Sequence, residues 1–451
     1  MKKIIFSTIT CLLILALSNA CKPKLQAPEA KKGNMDATHY VAIGDGFTAG
    51  YADGALYRDA QENSYVTIIA EQLKAIGGGD FHQPLMEANS VGVGSSGKSH
   101  TTLGYATDCK GVSSLKPIPV SPTGGDTSAF NSNVYGAQGA FNNMGVPDAK
   151  AIDLSIIGYG NPAKGIGNYN RFFARMTANQ TSSSILSDAQ LSNPTFFSLF
   201  IGVQDVLEYA LNGGASGTIT PPNGLAGIGF DGSMNEAVAA LSVKGAKGVI
   251  ATIPDITRFP YFTTIPYNGL TLDSANAATL NSIYNPLGFY FQIGANPFMI
   301  EDPSAGMFGV RPIKANEYIL LNIPLDSVKC LKLGSVYPIP NRYVLTETEV
   351  LNIHNAINSY NSIISTVAAN DNLAIADINS FFTSINNGII YNGISLNSSF
   401  VAGGVFSLDG IRLTPRGNAL LANEFIKAIN TKYQSTIPQA DATKYKGIVF
   451  P

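Results

Sequence analysis

The chain has 451 residues, 45% of them hydrophobic and only 13% charged, about half the ~25% charged share of an average soluble domain. That composition allows a large core and excludes a mostly disordered chain. A formal net charge of −2 argues against nucleic acid or an anionic membrane surface as a partner.

The first stretch reads as a signal peptide over 1–20. Lys2 and Lys3 give a positive start, and Ile4 to Leu17 give a short apolar run. Ser18-Asn-Ala-Cys21 then resembles a bacterial lipobox, which makes Cys21 the expected lipidation site. Ser18 and Ala20 also suit an ordinary signal peptidase, which would leave no lipid. Residues 21–37 are expected to form a lipidated tether, and no second hydrophobic span follows. The body is therefore expected to be exported and held in the cell envelope, at the outer membrane or in the periplasm, by its N-terminal lipid only. Of four cysteines, Cys109 and Cys330 remain in that body. Export permits a disulfide between them, and two buried thiols fit equally well. No cysteine–histidine cluster suggests a metal, and no cofactor motif is found.

The body opens on Tyr40-Val-Ala-Ile-Gly-Asp-Gly46, an apolar run that breaks at glycine and so predicts a buried strand. Asn63-Ser64 can cap a helix through Val66, Ile69, Ala70 and Leu73. Residues 80–137 read as an irregular insertion over the site face. Gly92 to Gly97 lacks the Lys-Ser/Thr of a phosphate loop and reads as a turn. Ala140 to Met144 is a second short strand, followed by a helix through Ile152, Ile156 and Ile157 and by helical stretches near 166–177 and 181–191. Thr195 to Ile201 is a third strand, and Ser233-Met-Asn-Glu236 has the form of a capping box. Lys247 to Ile253 is a fourth strand. Residues 256–345, dense in Pro, Tyr and Phe, read as a second insertion, a lid or small cap. Thr346 to Glu349 opens a helix with Val350, Ile353, Ile357, Tyr360, Ile364 and Val367 at spacings of three and four. Leu373 to Ile378 is the last strand, a turn-rich stretch follows, and Thr414-Pro415 starts the final helix. Strand and helix in alternation predict an α/β three-layer sandwich, a central parallel sheet with helices on both faces.

Four strand ends resemble the blocks of the SGNH (GDSL-type) ester hydrolases, a flavodoxin-like fold. The likeness spans residues 38–435 apart from the two insertions, and leaves 436–451 as a C-terminal extension. In Gly44-Asp45-Gly46, Gly46 stands where the resemblance implies the nucleophilic serine. In Asn143-Met-Gly-Val-Pro-Asp148, Asp148 stands where a glycine would donate its N–H, although Gly145 could serve instead. In Gly202-Val-Gln-Asp205, Gln204 replaces the asparagine of the oxyanion site. In Asp409-Gly-Ile-Arg412, Asp409 is kept and Arg412 replaces the histidine base. Glycine has no nucleophile, and arginine keeps its proton near neutrality. Arg412 could pair with Asp409, brace the last loop, or hold an anionic group.

Three functions remain open from sequence. One is an inactive relative that binds a carbohydrate or acyl-ester ligand through Asp45, Asp148, Gln204, Arg412 and the aromatics Phe259, Tyr261, Phe262 and Tyr267. Another is an active esterase, lipase or deacetylase using Asp45 and Asp409 as acid and base. The third is a structural surface lipoprotein.

Overall fold

The computed structural model describes residues 29–451. The expected signal peptide and Cys21 lie outside the described residues.

The main elements in chain order are β1 (Tyr40–Gly44), α1 (Gly46–Ala49), α2 (Tyr65–Leu73), β2 (Asn143–Gly145), α3 (Ile185–Leu191) and β3 (Phe196–Phe200). They continue with α4 (Gln204–Leu211), α5 (Phe230–Leu241), β4 (Lys247–Ala251), α6 (Glu347–Asn370), β5 (Ala374–Ala376), α7 (Ile378–Asn387) and α8 (Pro415–Tyr433). The five strands form one parallel sheet in the order β5-β4-β3-β1-β2. This is the doubly wound 2-1-3-4-5 order of a flavodoxin-like α/β sandwich.

Every residue of β1 and of β3 is buried, as strands covered on both faces must be. Helices α2 and α8 pack together on one face, where Tyr65 stacks on Phe425 with ring centres 4.9 Å apart. Helices α3, α5 and α6 cover the other. All six apolar residues read at helical spacing in α6 are buried, and both halves of its capping box are made. Thr414 caps α8 as its Oγ1 accepts from the Gly417 N–H at 3.1 Å.

Several expectations fail for local reasons. The helix through Ile152 shrinks to a single turn over Ala151–Asp153, and Ile157 is exposed. The Ser233 box does not cap, because α5 already starts at Phe230 and the Ser233 hydroxyl donates inward to the Gly229 carbonyl at 2.8 Å. The turn-rich stretch after the last strand opens with α7, capped by Asp377. The first insertion is not irregular throughout, since Thr101–Thr107 and Ser113–Pro119 pair as a long hairpin. Within the second insertion, residues such as Phe298, Ile300, Ile319 and Ile339 build a small core of their own.

The described end of the tether, from Glu29 on, and the extension both pack against the body. Met35 and Ala37 are buried, and the Asn34 N–H donates to the Tyr433 carbonyl at 2.8 Å. Ile437, Ala440 and Ala442 pack into the main core. Cys109 at the hairpin turn and Cys330 at the end of the helix Leu325–Cys330 form a disulfide, and Lys329 pairs with Asp108 beside it at 3.1 Å. The two insertions are thus fastened to each other. Among the described residues no helix is long and apolar enough to cross a membrane.

Candidate functional site

The site is built where the sheet order reverses, at the C-terminal ends of β1 and β3. Gly44 lets the chain turn there, because a Cβ on it would come within 2.3 Å of the Phe200 carbonyl oxygen. Asp45 then caps α1, its Oδ1 accepting from the Phe47 N–H at 2.8 Å. Its Oδ2 is buried without a partner among the described residues. Burial raises the Asp45 carboxyl, and the charge of Arg412 opposes that rise. Asp45 is wholly inside the protein and lines no part of the cleft, so the expected ligand contact is not made.

Gly46 meets Arg412. A Cβ built on Gly46 would lie 2.8 Å from Nη2 and 2.9 Å from Nε of that guanidinium. The arginine therefore occupies the space beside the turn into which a side chain at 46 would project. Its Cζ sits 4.6 Å from the centre of the Phe47 ring, a cation–π contact. Arg412 is only 6% exposed, and its Nε and Nη1 are buried with no hydrogen-bond partner among the described residues.

The expected Arg412–Asp409 ion pair is not formed. Asp409 Oδ1 instead accepts from the Ser407 hydroxyl at 2.9 Å and from the N–H groups of Ile411 and Arg412 at 2.8 and 2.7 Å. Three donors of its own loop satisfy the carboxylate, which braces the turn and leaves the guanidinium to the cleft.

Asp148 has φ +67°, in the left-handed region that glycine enters freely and aspartate at a cost of ~1–2 kcal/mol. Its side chain is open to the cleft by area, yet it lies deep between the walls. That loss of surrounding water raises its carboxyl, against the pull of Ser95 and Arg412. Gly145 cannot stand in as an oxyanion donor, because its N–H is given to Asn143 Oδ1 at 2.9 Å. Gln204 begins α4 and lines the cleft.

Asp148, Gln204, Asp409 and Arg412 thus come together on one cleft of about 680 Å³. Of the four aromatics expected there, only Tyr261 lines it. Phe259 and Phe262 are fully buried core, and Tyr267 is exposed outside the cleft lining. None of the histidines lines the cleft. His354 instead pairs with Asp255 at 3.2 Å, which raises its pKa.

No family model matches the chain, and no curated protein matches it. Among solved structures, the crystal structure of the lipase/acylhydrolase from Enterococcus faecalis is 12% identical. That alignment covers 89% of this chain and 98% of that one, with a TM-score of 0.31. So low a score bears on neither fold nor function, which rest here on topology and geometry.

Sequence reasoning missed Asp53, which lies on the cleft wall beside Asp409. Its Oδ1 accepts from the Leu408 N–H at 2.8 Å and its Oδ2 from the Tyr57 hydroxyl at 2.5 Å. Burial pushes its carboxyl up to about 6. The dipeptide Asp53-Gly54 is a turn signal that marked the place, but nothing in it foretold that residues 407–409 would fold back onto it. The cleft thus offers Arg412 and Gln204 as donors, and Asp53, Asp148 and Asp409 as carboxyls that a ligand's hydroxyls can meet.

Proposed function

We propose that this chain is a cell-envelope lipoprotein of SGNH (GDSL-type) descent that has lost serine-ester chemistry and binds a glycan or acylated ligand in its cleft. The observation that carries the reading is the contact of Gly46 with Arg412. The strand-end turn has no nucleophile, and the side chain beside it cannot accept a proton from one. Loss of the nucleophile or of the base of a serine triad already costs about 10⁶ in turnover, and here both positions are changed. The cleft itself is open and within the ~300–1,000 Å³ range of small-molecule sites. An acyl carbonyl suits the unpaired guanidinium, and sugar hydroxyls suit the three carboxyls.

The test is hydrolysis of p-nitrophenyl acetate and butyrate by the native chain and by the Gly46→Ser/Arg412→His variant. The native chain is expected to stay at the uncatalysed rate, and the double variant to turn over measurably. A second reading, an active hydrolase, has one observation in its favour. The Ser95 hydroxyl shares the cleft wall with Asp148, a carboxyl raised by burial. Native hydrolysis that vanishes in Ser95→Ala would establish that reading and overturn the first.

A further inference from the structure

A second hollow of about 660 Å³ lies beside the cleft, and the two share Ser95 and Asp148 as a common wall. The hollow is built by residues 148–172 with Phe130 and Glu208, in the stretch between β2 and α3. Apart from those two residues it has no part in the strand-end site described above. Its lining differs from that of the cleft. The cleft sets Leu207, Leu211, Ile411 and Tyr261 against its polar groups, which suits an acyl unit. The hollow sets aromatic faces, Tyr159, Tyr169 and Phe172, among amides and charged groups.

Several of these groups are fixed before any ligand arrives. The Tyr159 hydroxyl donates to Asp153 Oδ2 at 3.0 Å and receives the Asn170 amide at 3.3 Å. Lys150 is tied to Glu208 at 2.5 Å. Arg171 lies over Phe130 at 4.1 Å and forms no ion pair among the described residues. Tyr169 is half-buried, and its hydroxyl makes no hydrogen bond among the described residues. The rim is the turn Gly165-Ile-Gly167, with both glycines at positive φ and Ile166 88% exposed. Flat ring faces interleaved with fixed donors and acceptors match the alternating apolar face and hydroxyl edge of a pyranose. A lipid chain would need an apolar hollow, and a nucleic acid a basic one.

We infer that the ligand is a linear glycan of at least two sugar units, an inference that rests on the binding reading of the cleft. Its acyl-bearing unit occupies the cleft. The next unit crosses the saddle of Ser95 and Asp148 and lies against Tyr169 in the second hollow. The saddle can hold it there, because Ser95 and Asp148 line both spaces.

The experiment is calorimetric titration of the full mature chain with two length ladders, oligomers of N-acetylglucosamine and of O-acetylated xylose, at one, two, four and six units. Affinity is expected to rise at least tenfold from one unit to four in one ladder. Tyr169→Ala, at a partly exposed loop position, is expected to remove that gain and leave the single unit unchanged. Asn168→Ala, on the same wall, provides an independent check if Tyr169→Ala lowers the melting temperature. Single units that bind as tightly as tetramers overturn the second subsite and leave the cleft reading standing. If no member of either ladder binds at millimolar concentration, both fall.

Discussion

At position 46 the backbone has room for a side chain and the space beside it does not. Gly46 is not among the glycines at positive φ, so the backbone accepts any residue there. The nearest obstacle is the Arg412 guanidinium, the far end of a flexible side chain. That is why the double variant is the informative one, and why Gly46→Ser alone should lose stability without gaining activity. The four strand ends stood out in sequence through their resemblance to the blocks of the SGNH hydrolases. The partners did not. Asp409 satisfied by its own loop, and Asp45 shut inside the protein, depend on how 407–412 folds over the turn.

Asp53 carries a prediction about pH. Its folded-state carboxyl sits near 6, above the ~3.9 of an unfolded chain. The native state therefore holds this proton to higher pH than the unfolded state does. Stability from that proton is fully present below pH ~4 and lost as pH rises through about 6, by at most roughly 3 kcal/mol. Asp53→Asn cannot ionise and should escape that loss. Denaturant melts between pH 4 and 7.5 check it, with the variant gaining on the parent as pH rises. Other buried acids, such as Asp205 pushed up to about 7, contribute to both proteins and cancel in the difference. Parallel curves would remove Asp53 as the titrating group.

At the scale of elements, what could be read and what could not divide by burial. Strands β1 and β3 and helices α6 and α8 were legible because burial forces a continuous or a 3.6-period apolar pattern on them. The hairpin 101–119 was not. Most of its residues are partly or fully exposed, so no apolar alternation marks it. What holds it in place is remote in sequence, the Cys109–Cys330 bond spanning 221 residues. A cross-link of that kind contributes ~2–4 kcal/mol, mainly by restricting the unfolded chain. Here it fastens one insertion to the other, and each contributes cleft wall, Ser95 to Thr101 from the first and Tyr261 and Asn322 from the second. Cys109→Ser/Cys330→Ser should therefore loosen both insertions while the sheet stays folded. Limited proteolysis followed by mass spectrometry would read this as early cuts within 101–119 and 325–335. Cuts that appear first in the strands of the central sheet would mean that the bond supports the whole body.

At the scale of the molecule, the chain's entry point and its cleft lie at opposite ends of the sheet. Residues 29–37 are bound to the N-terminal end of the strands. Lys247, the first residue of β4, donates its Nζ to the Asn34 carbonyl, and the Lys31 N–H donates to Thr436 at 2.8 Å. All five strands run parallel from that end, and the cleft lies past their far ends. At ~3.3 Å per residue, β1 alone separates the two by about 16 Å. If Cys21 bears the lipid, no more than seven residues separate it from the first described one, Glu29, and the binding face looks away from the membrane. Two measurements check this. Cys21→Ser should abolish palmitate labelling and move the protein to the aqueous phase of a detergent partition. For orientation, Ser96→Cys on the cleft wall, in purified lipoprotein on liposomes, should react with a bulky water-soluble maleimide as fast as the detergent-released protein does. A cysteine at that site that is shielded only when the protein is anchored would place the cleft against the bilayer, and would favour a lipid over a glycan as what it holds.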